Sequence, residues 1–429
     1  MNISRPELLG RDGSLQYRAR VRSRRGDTAL WYCLNDAHAN LVSTLSDAPL
    51  LALLIPAMAR GEDVYVEGAV SERLSYNLSG PYQHVLRTII PQLQAVRVDA
   101  EEIVRAPNAA GGVATGFSAG IDSFCVLADH HYGSAAPGFR LTHLLFHNVG
   151  SHGETDPDAA EQLFLDRSGR ARATAARIGL PFVAVNSNLD SFYDEGMDFF
   201  MTHTLRNASV ALLLQEGIGR YLYASAYQYG DLFVGPSDSI SYSEPISLNM
   251  VSTDACDMIS HGSEYSRVEK TLRVAEMEDS YDTLDVCVRK QVGGNCSCCW
   301  KCLRTLLTLE VSGLTERYAS VFDLAVYRKH RTPFITKVLR SNDPLLREIA
   351  QFAQQRDFRF PTSARFHAIS RVGRAFHSAR RVGRTLKQIG FARAEQGGEG
   401  DGRHVTDAAG PYLVRAAAHY APARESPSP

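Results

Sequence analysis

The stretch Val113-Ala114-Thr115-Gly116-Phe117-Ser118-Ala119-Gly120-Ile121-Asp122-Ser123-Phe124-Cys125-Val126-Leu127-Ala128 decides the fold. Its start is apolar, its middle is built from small residues, and its end is apolar again. The pattern reads as a buried strand, a tight turn and the first turns of a helix. Such a turn aims several backbone N–H groups and two hydroxyls into one concavity, and a concavity of that kind binds phosphate. No Gly-Lys-Ser/Thr follows, which excludes a Walker A loop, and the glycine spacing is wrong for the dinucleotide pattern GxGxxG.

Downstream, Leu141-Thr142-His143-Leu144-Leu145-Phe146 is a second buried strand, ending in polar Asn148 to Gly153. An alanine-rich amphipathic run from Glu161 to Ile178 follows, then the strand Pro181-Phe182-Val183-Ala184-Val185 with Asn186-Ser187-Asn188 after it. A helix is expected from about Asn207 to Gly217, and a further strand at Tyr221-Leu222-Tyr223-Ala224-Ser225-Ala226. Short apolar strands alternating with helices predict parallel βαβ units, whose ligands bind beyond the carboxyl ends of the strands. The phosphate turn lies at that end.

Cys287, Cys296, Cys299 and Cys302 follow the spacing Cys-x8-Cys-x2-Cys-x2-Cys. Thiolates so close together in a chain otherwise poor in cysteine predict a tetrahedral four-thiolate zinc site. Five of the eight cysteines fall between 287 and 302, which favours metal over disulfides, while Cys33, Cys125 and Cys256 are scattered. Cys298 is surplus: it either replaces Cys299 as a ligand or stands as a free thiol beside the metal. Four thiolates leave zinc no open position, so its expected role is to pin the helix beginning near Lys301, with Asn295 and Arg304 behind the ligands or facing substrate.

The turn resembles the SGGxDS pyrophosphate loop of ATP pyrophosphatases that adenylate their substrates, with Ala119 in place of the second glycine. Together with the cysteine spacing, it makes the chain similar to the 7-cyano-7-deazaguanine synthase family over about Val113 to Leu309. Arg206-Asn207 opening a helix, Asp231, and Lys270 in Arg267-Val268-Glu269-Lys270 belong to the same resemblance. Asn295-Cys296-Ser297-Cys298-Cys299-Trp300-Lys301-Cys302-Leu303-Arg304-Thr305 also resembles the NCGxCxKCLRT signature of relatives with divergent substrates. The resemblance implies a Rossmann-like α/β parallel sheet of the adenine nucleotide alpha hydrolase type. It implies ATP-dependent activation of a carboxylate, release of pyrophosphate, and attack by ammonia, with ATP, Mg²⁺ and Zn²⁺ as cofactors. On this reading Ser118, Ala119, Gly120, Ile121, Asp122 and Ser123 form the nucleotide loop. Asp122 either caps the helix or holds magnesium, and Arg206 and Lys270 are cations for phosphate or substrate.

Residues 1 to about 108 lie outside the resemblance. Alternation at Leu15 to Arg22 and Asp63 to Glu67, β-rich runs at Ala29 to Leu34 and Ala95 to Asp99, and helical stretches at Pro49 to Arg60 and Tyr82 to Leu93 predict a small α+β unit. That unit either recognises a substrate or partner or covers one edge of the sheet. The expected organisation is 1–108 accessory, 109–342 catalytic with its zinc subregion at 287–302, 343–396 a helical extension, and 397–429 a disordered tail. Residues 365 to 393 repeat Arg-Val-Gly-Arg at 371 and 381, a basic amphipathic pattern and the one feature pointing toward RNA, anionic lipid or an acidic partner.

With 46 Lys and Arg against 47 Asp and Glu, the net charge of −1 recruits neither nucleic acid nor membrane globally. No apolar run is long enough to span a bilayer, and the polar Met1 to Gly13 lacks a signal-peptide core, so a cytoplasmic location is expected. The acceptor is a small-molecule carboxylate or a partner protein, and a homodimer is compatible with the sequence. Three functions remain open: a synthase-like ligase, including one modifying a partner protein in a defence operon; a sulfur transferase using Cys298 or Cys125; and a nucleotide-binding module without turnover.

Overall fold

Gly112–Gly116 forms a strand and Ile121–Leu127 a helix, with the small-residue turn between them. The computed structural model describes residues 1–105, 109–152, 157–193, 197–289 and 293–365. These all fall in one compact unit, Met1–Ala368. The strands are β1 (Asn2–Ile3), β2 (Glu7–Arg11), β3 (Ser14–Ser23), β4 (Gly26–Asn35), β5 (Val64–Ser71), β6 (Val98–Val104), β7 (Gly112–Gly116), β8 (His143–His147), β9 (Phe182–Ser187), β10 (Ile218–Ala224) and β11 (Asp257–His261). The helices are α1 (Asp47–Arg60), α2 (Glu72–Leu78), α3 (Pro81–Ile89), α4 (Ile121–Leu127), α5 (Pro157–Ile178), α6 (Phe199–Leu213), α7 (Glu244–Ser247), α8 (Arg267–Val274), α9 (Trp300–Val311), α10 (Leu324–Val338) and α11 (Pro344–Gln355).

One sheet runs β11-β10-β7-β8-β9-β4-β3-β1-β5-β6, with β2 paired to β3. From β11 to β9 every pairing is parallel. That half is buried on both faces, which is why its strands read as continuous apolar runs. The pleat sorts them: Ala114, Leu145, Val183, Val185, Tyr221 and Tyr223 enter the core that holds α1 and α6. Their neighbours Val113, Leu144, Phe146, Phe182 and Leu222 enter the core of α4, α9 and α10. β7 lies between β8 and β10, so connections leave it in opposite directions and a crevice opens at its carboxyl end.

Residues expected as an appendage complete this sheet at its β9 edge. β4 pairs antiparallel with β9, from Tyr32 opposite Ser187 to Leu34 opposite Val185. Asp47, fully buried at the start of α1, accepts from Ser71 N (2.8 Å), Ser71 Oγ (2.5 Å) and Gln215 Nε2 (2.8 Å), and Thr253 Oγ1 donates in turn to Gln215 Oε1 (2.7 Å). A buried carboxylate tolerates that position only with such donors.

The helix expected to open at Arg206-Asn207 begins earlier, at Phe199, where Asp198 Oδ1 accepts from Phe200 N at 2.9 Å as the N-cap. Both residues therefore lie inside α6. Beyond 343, α11 packs on the parallel half, its Glu348 Oε2 accepting from Arg267 N (2.6 Å) at the start of α8. The basic repeat at 371 and 381, the tail at 397–429 and the linker residues Pro107-Asn108 lie outside the described residues. No helix among the described residues is long and apolar enough to cross a membrane.

Candidate functional site

The turn after β7 is held from two sides. Phe117 N donates to Leu145 O of β8 (2.7 Å), and Asp285 N donates to Ala119 O (2.8 Å). Ala119 has φ +56°, the left-handed region where glycine is usual, so the alanine holds a backbone shape that glycine adopts more readily. Gly120 is the N-cap of α4 and no side chain caps it; Ser123 Oγ donates back to Gly120 O (3.0 Å).

Asp122 therefore does not cap the helix. It faces α8, pairing with Arg267 (NH1 to Oδ2, 2.7 Å) and Lys270 (Nζ to Oδ1, 3.4 Å). Burial alone would push its carboxyl up, but the two cations outweigh that and hold it below the usual carboxylate range. Lys270, 1 % exposed, also donates to Ser225 O (2.6 Å) and Ser225 Oγ (3.1 Å) at the end of β10. Burial lowers its pKa, partly offset by Asp122.

Two further cations enter from α9. Lys301 and Arg304, one helical turn apart, lie against the half-exposed Trp300 indole, with Lys301 Nζ 5.6 Å and Arg304 Cζ 5.0 Å from its centroid. Burial and the neighbouring Arg304 bring Lys301 down to about 8, while the charge of Asp122 works the other way. Arg304 is 5 % exposed, makes no ion pair among the described residues, and its Nε has no hydrogen-bond partner. Burial and Arg267 lower its pKa too. Two cations thus pair with one carboxylate, and two more lie near enough to feel its charge, an arrangement that attracts a multiply charged anion.

Arg206 is placed differently. Its guanidinium, 1 % exposed, pairs with Asp190 (2.5 Å), donates to Val149 O (3.1 Å) and Thr202 Oγ1 (2.9 Å), and lies 3.5 Å over the Tyr193 ring. It clamps the turn after β8, where Gly150 has φ +107° and an added Cβ would stand 2.3 Å from Arg206 NH1. Asp231 accepts from Gln228 Nε2 (3.0 Å) in a short turn and joins neither group. Glu244 is buried against α6, unannounced by any motif: Thr204 Oγ1 donates to it (2.7 Å), His203 Nδ1 lies 3.4 Å away, and burial lifts its carboxyl to about 7.

The Sγ atoms of Cys287, Cys296, Cys299 and Cys302 lie within 4.8 Å of one another. Cys299 and Cys302 are 3.4 Å apart, and Cys296 and Cys302 4.0 Å. Zinc–sulfur bonds of about 2.3 Å require sulfurs about 3.8 Å apart at tetrahedral angles, so the set is able to hold a metal such as zinc. The hydrogen bond shared between the Cys299 and Cys302 sulfurs holds Cys299 well below the usual thiol range. Cys298 lies outside the converging set, which retains Cys299. Asn295 braces the knuckle, donating to Leu284 O (2.7 Å) and Val321 O (3.1 Å) and accepting from Val286 N (2.9 Å). Asp285 ties the cysteines to the turn after β7: its Oδ1 accepts from Cys287 N (3.2 Å), while its own N–H holds Ala119 O.

No family model, curated protein or solved structure matches this chain.

Proposed function

We propose that this chain is an ATP-dependent, AMP-forming ligase of the type suggested by its resemblance to 7-cyano-7-deazaguanine synthases, built on a Rossmann-like sheet. The observation that carries the reading is the pairing of Arg267 and Lys270 with Asp122 beside the turn at the carboxyl end of β7, with Lys301 and Arg304 of α9 near enough to feel the same charge. A carboxylate oxygen of the acceptor attacks the α-phosphorus of ATP, the bond to the bridging oxygen breaks, and pyrophosphate leaves. Ammonia then attacks the acyl adenylate and AMP departs. Both leaving groups are anions, so the chain's task is to neutralise charge and hold reactants in line. The turn's amides and Ser118 receive pyrophosphate, Lys270 and Arg267 stand beside it, and Lys301 and Arg304 face the remaining anionic groups.

Asp122 is occupied by two cations, so the turn presents no free carboxylate to magnesium, and any magnesium comes with the nucleotide's phosphates. The cysteines suit structural zinc, which would fix the start of α9 and thereby Lys301 and Arg304. Sulfur transfer through Cys125 is disfavoured, because that thiol is buried against the core and burial pushes it up to about 12.

The test supplies ATP, Mg²⁺, ammonium and 7-carboxy-7-deazaguanine, then other carboxylates, and follows AMP, pyrophosphate and acceptor mass. Formation of AMP and an amide or nitrile, lost in Asp122→Ala, is the expected result. ATP binding without AMP across a broad acceptor panel would sink the ligase reading.

A further inference from the structure

Asp47 and Glu244 are the two most deeply buried carboxylates among the described residues, and the fold holds them differently. Two of the three hydrogen bonds to Asp47 come from N–H groups, Ser71 N and Gln215 Nε2, which only donate and so fix it as a carboxylate. Glu244, the first residue of α7, is held by hydroxyls, Thr204 Oγ1 at 2.7 Å and the phenol of Tyr223. A hydroxyl donates or accepts, so Glu244 gains or loses a proton without losing its partners. His203 Nδ1, 3.4 Å away, supplies no counter-charge, because burial pushes that imidazole down to about 3. Both of its nitrogens also face hydroxyls, Tyr223 at 2.9 Å and Ser241 at 3.0 Å, and Asn207 Nδ2 donates to the Tyr223 oxygen (3.1 Å). The segment from Ser241 to Glu244 ties this network to the anion crevice. Tyr242 stacks on Tyr227 with centroids 4.0 Å apart, and Tyr227 feels the charge of Arg304. Glu244 itself feels Asp122 and Lys270, and His203 feels Lys301. Tyr223 stands two residues before Ser225, which holds Lys270 Nζ.

We propose, resting on the ligase reading, that Glu244 is the base that takes the proton ammonia sheds as it attacks the acyl adenylate, with Tyr223 and His203 as positioning residues. The nitrogen lone pair forms the C–N bond, the C–O bond to AMP breaks with its electron pair leaving on AMP, and one N–H proton passes to the Glu244 carboxylate. Tyr223 then donates to His203 Nδ1, which frees a lone pair on its oxygen to accept from the new carboxylic acid. A base is needed at this place because the first adduct of ammonia is cationic, and Lys270 and Lys301 are cations whose charge reaches the network. Burial lifts the Glu244 carboxyl to about 7 against the pull of its two hydroxyl donors, which suits a base working near neutrality. Tyr82 of α3 and Tyr221 of β10 also face the carboxyl, and burial pushes both phenols up, so neither adds a charge.

The experiment separates the two half-reactions in the full-length chain, with 7-carboxy-7-deazaguanine and then other carboxylates as acceptor. Exchange of labelled pyrophosphate into ATP without ammonium reports adenylation, and amide formation with ammonium reports the second half. Glu244→Gln should lower amide formation at least about a hundredfold more than it lowers exchange, the scale of one general base. In the wild type the amide rate should fall as pH drops through about 7, where Glu244 gains its proton, and this acid limb should be absent in Glu244→Gln. Tyr223→Phe removes a hydrogen bond that lowers the Glu244 carboxyl and should move the limb up by about half to one pH unit. Equal losses in both half-reactions of Glu244→Gln, or a variant that keeps the acid limb, would overturn the proposal and leave the ligase reading standing. No exchange in the wild type with any acceptor would overturn the ligase reading and the proposal together. Should Glu244→Gln fail to fold, Tyr223→Phe decides, an unmoved limb overturning the proposal.

Discussion

Ala119 sits in the left-handed region, where an L-residue carries roughly 1–2 kcal/mol of strain. Glycine there releases the strain but is more flexible when unfolded, by about 0.5–1 kcal/mol. Ala119→Gly is therefore expected to raise unfolding free energy by up to about 1.5 kcal/mol, read from denaturant midpoints, while keeping the shape of the turn. Arg304 is the opposite case, a buried cation without an ion-pair partner among the described residues. Arg304→Met should leave stability equal or higher, because it removes an uncompensated charge, and should weaken nucleotide binding at least about tenfold, the scale of one charge-assisted hydrogen bond. A thermal melt and a titration with ATP check both halves, and lower stability with unchanged binding would contradict the role. Lys301 adds a pH dependence. Its pKa is lowered from 10.5 to about 8, so the ammonium is the form the fold disfavours: as pH rises from about 8 toward 10.5, its penalty on stability disappears. Anion affinity, which needs the ammonium, falls over the same range. Calorimetry at pH 8 in buffers of different ionisation enthalpy should show proton uptake on ATP binding, absent in Lys301→Met.

At the scale of elements, α9 is positioned by its cysteines and presents two of the crevice cations. Cys302→Ser, or chelation under reducing conditions, is expected to lower the melting temperature and to weaken ATP binding together, since Lys301 and Arg304 lose their fixed register. Loss of metal with unchanged ATP affinity would separate the two sites. Much of this was legible in the sequence. Leu144 to Phe146 and Phe182 to Val185 announced buried parallel strands because both faces are covered, and Lys301 and Arg304 stand three residues apart inside the cysteine motif. The same spacing joins Arg267 to Lys270, a signal that could have marked Arg267. Arg206 misled because a motif position says nothing about where a helix starts: Asp198, a better N-cap, lies eight residues earlier. Glu244 and His203 carried no local signal, since only tertiary packing brings them to their neighbours.

For the whole molecule, the continuous sheet means that residues 1–105 are structural partners of the parallel half. β4 satisfies the β9 edge, and α1 shares one hydrophobic core with α6. A chain starting at residue 109 is expected to be insoluble or to expose apolar surface to a fluorescent dye, because an unpaired β9 edge and the bare face of α6 would meet water. A monomeric, cooperatively melting fragment would refute that. Residues 1–105 should fail likewise when expressed alone. The β4–β9 pairing also sets a timetable for synthesis. Tyr32 leaves the ribosome roughly 150 residues before Ser187, an interval of about ten to thirty seconds at ordinary elongation rates. Throughout it, β4 is an open edge and α1 an uncovered apolar surface, so the nascent chain has a built-in waiting period in which a chaperone, or the β4 edge of a neighbouring nascent chain, competes for the place that β9 will take.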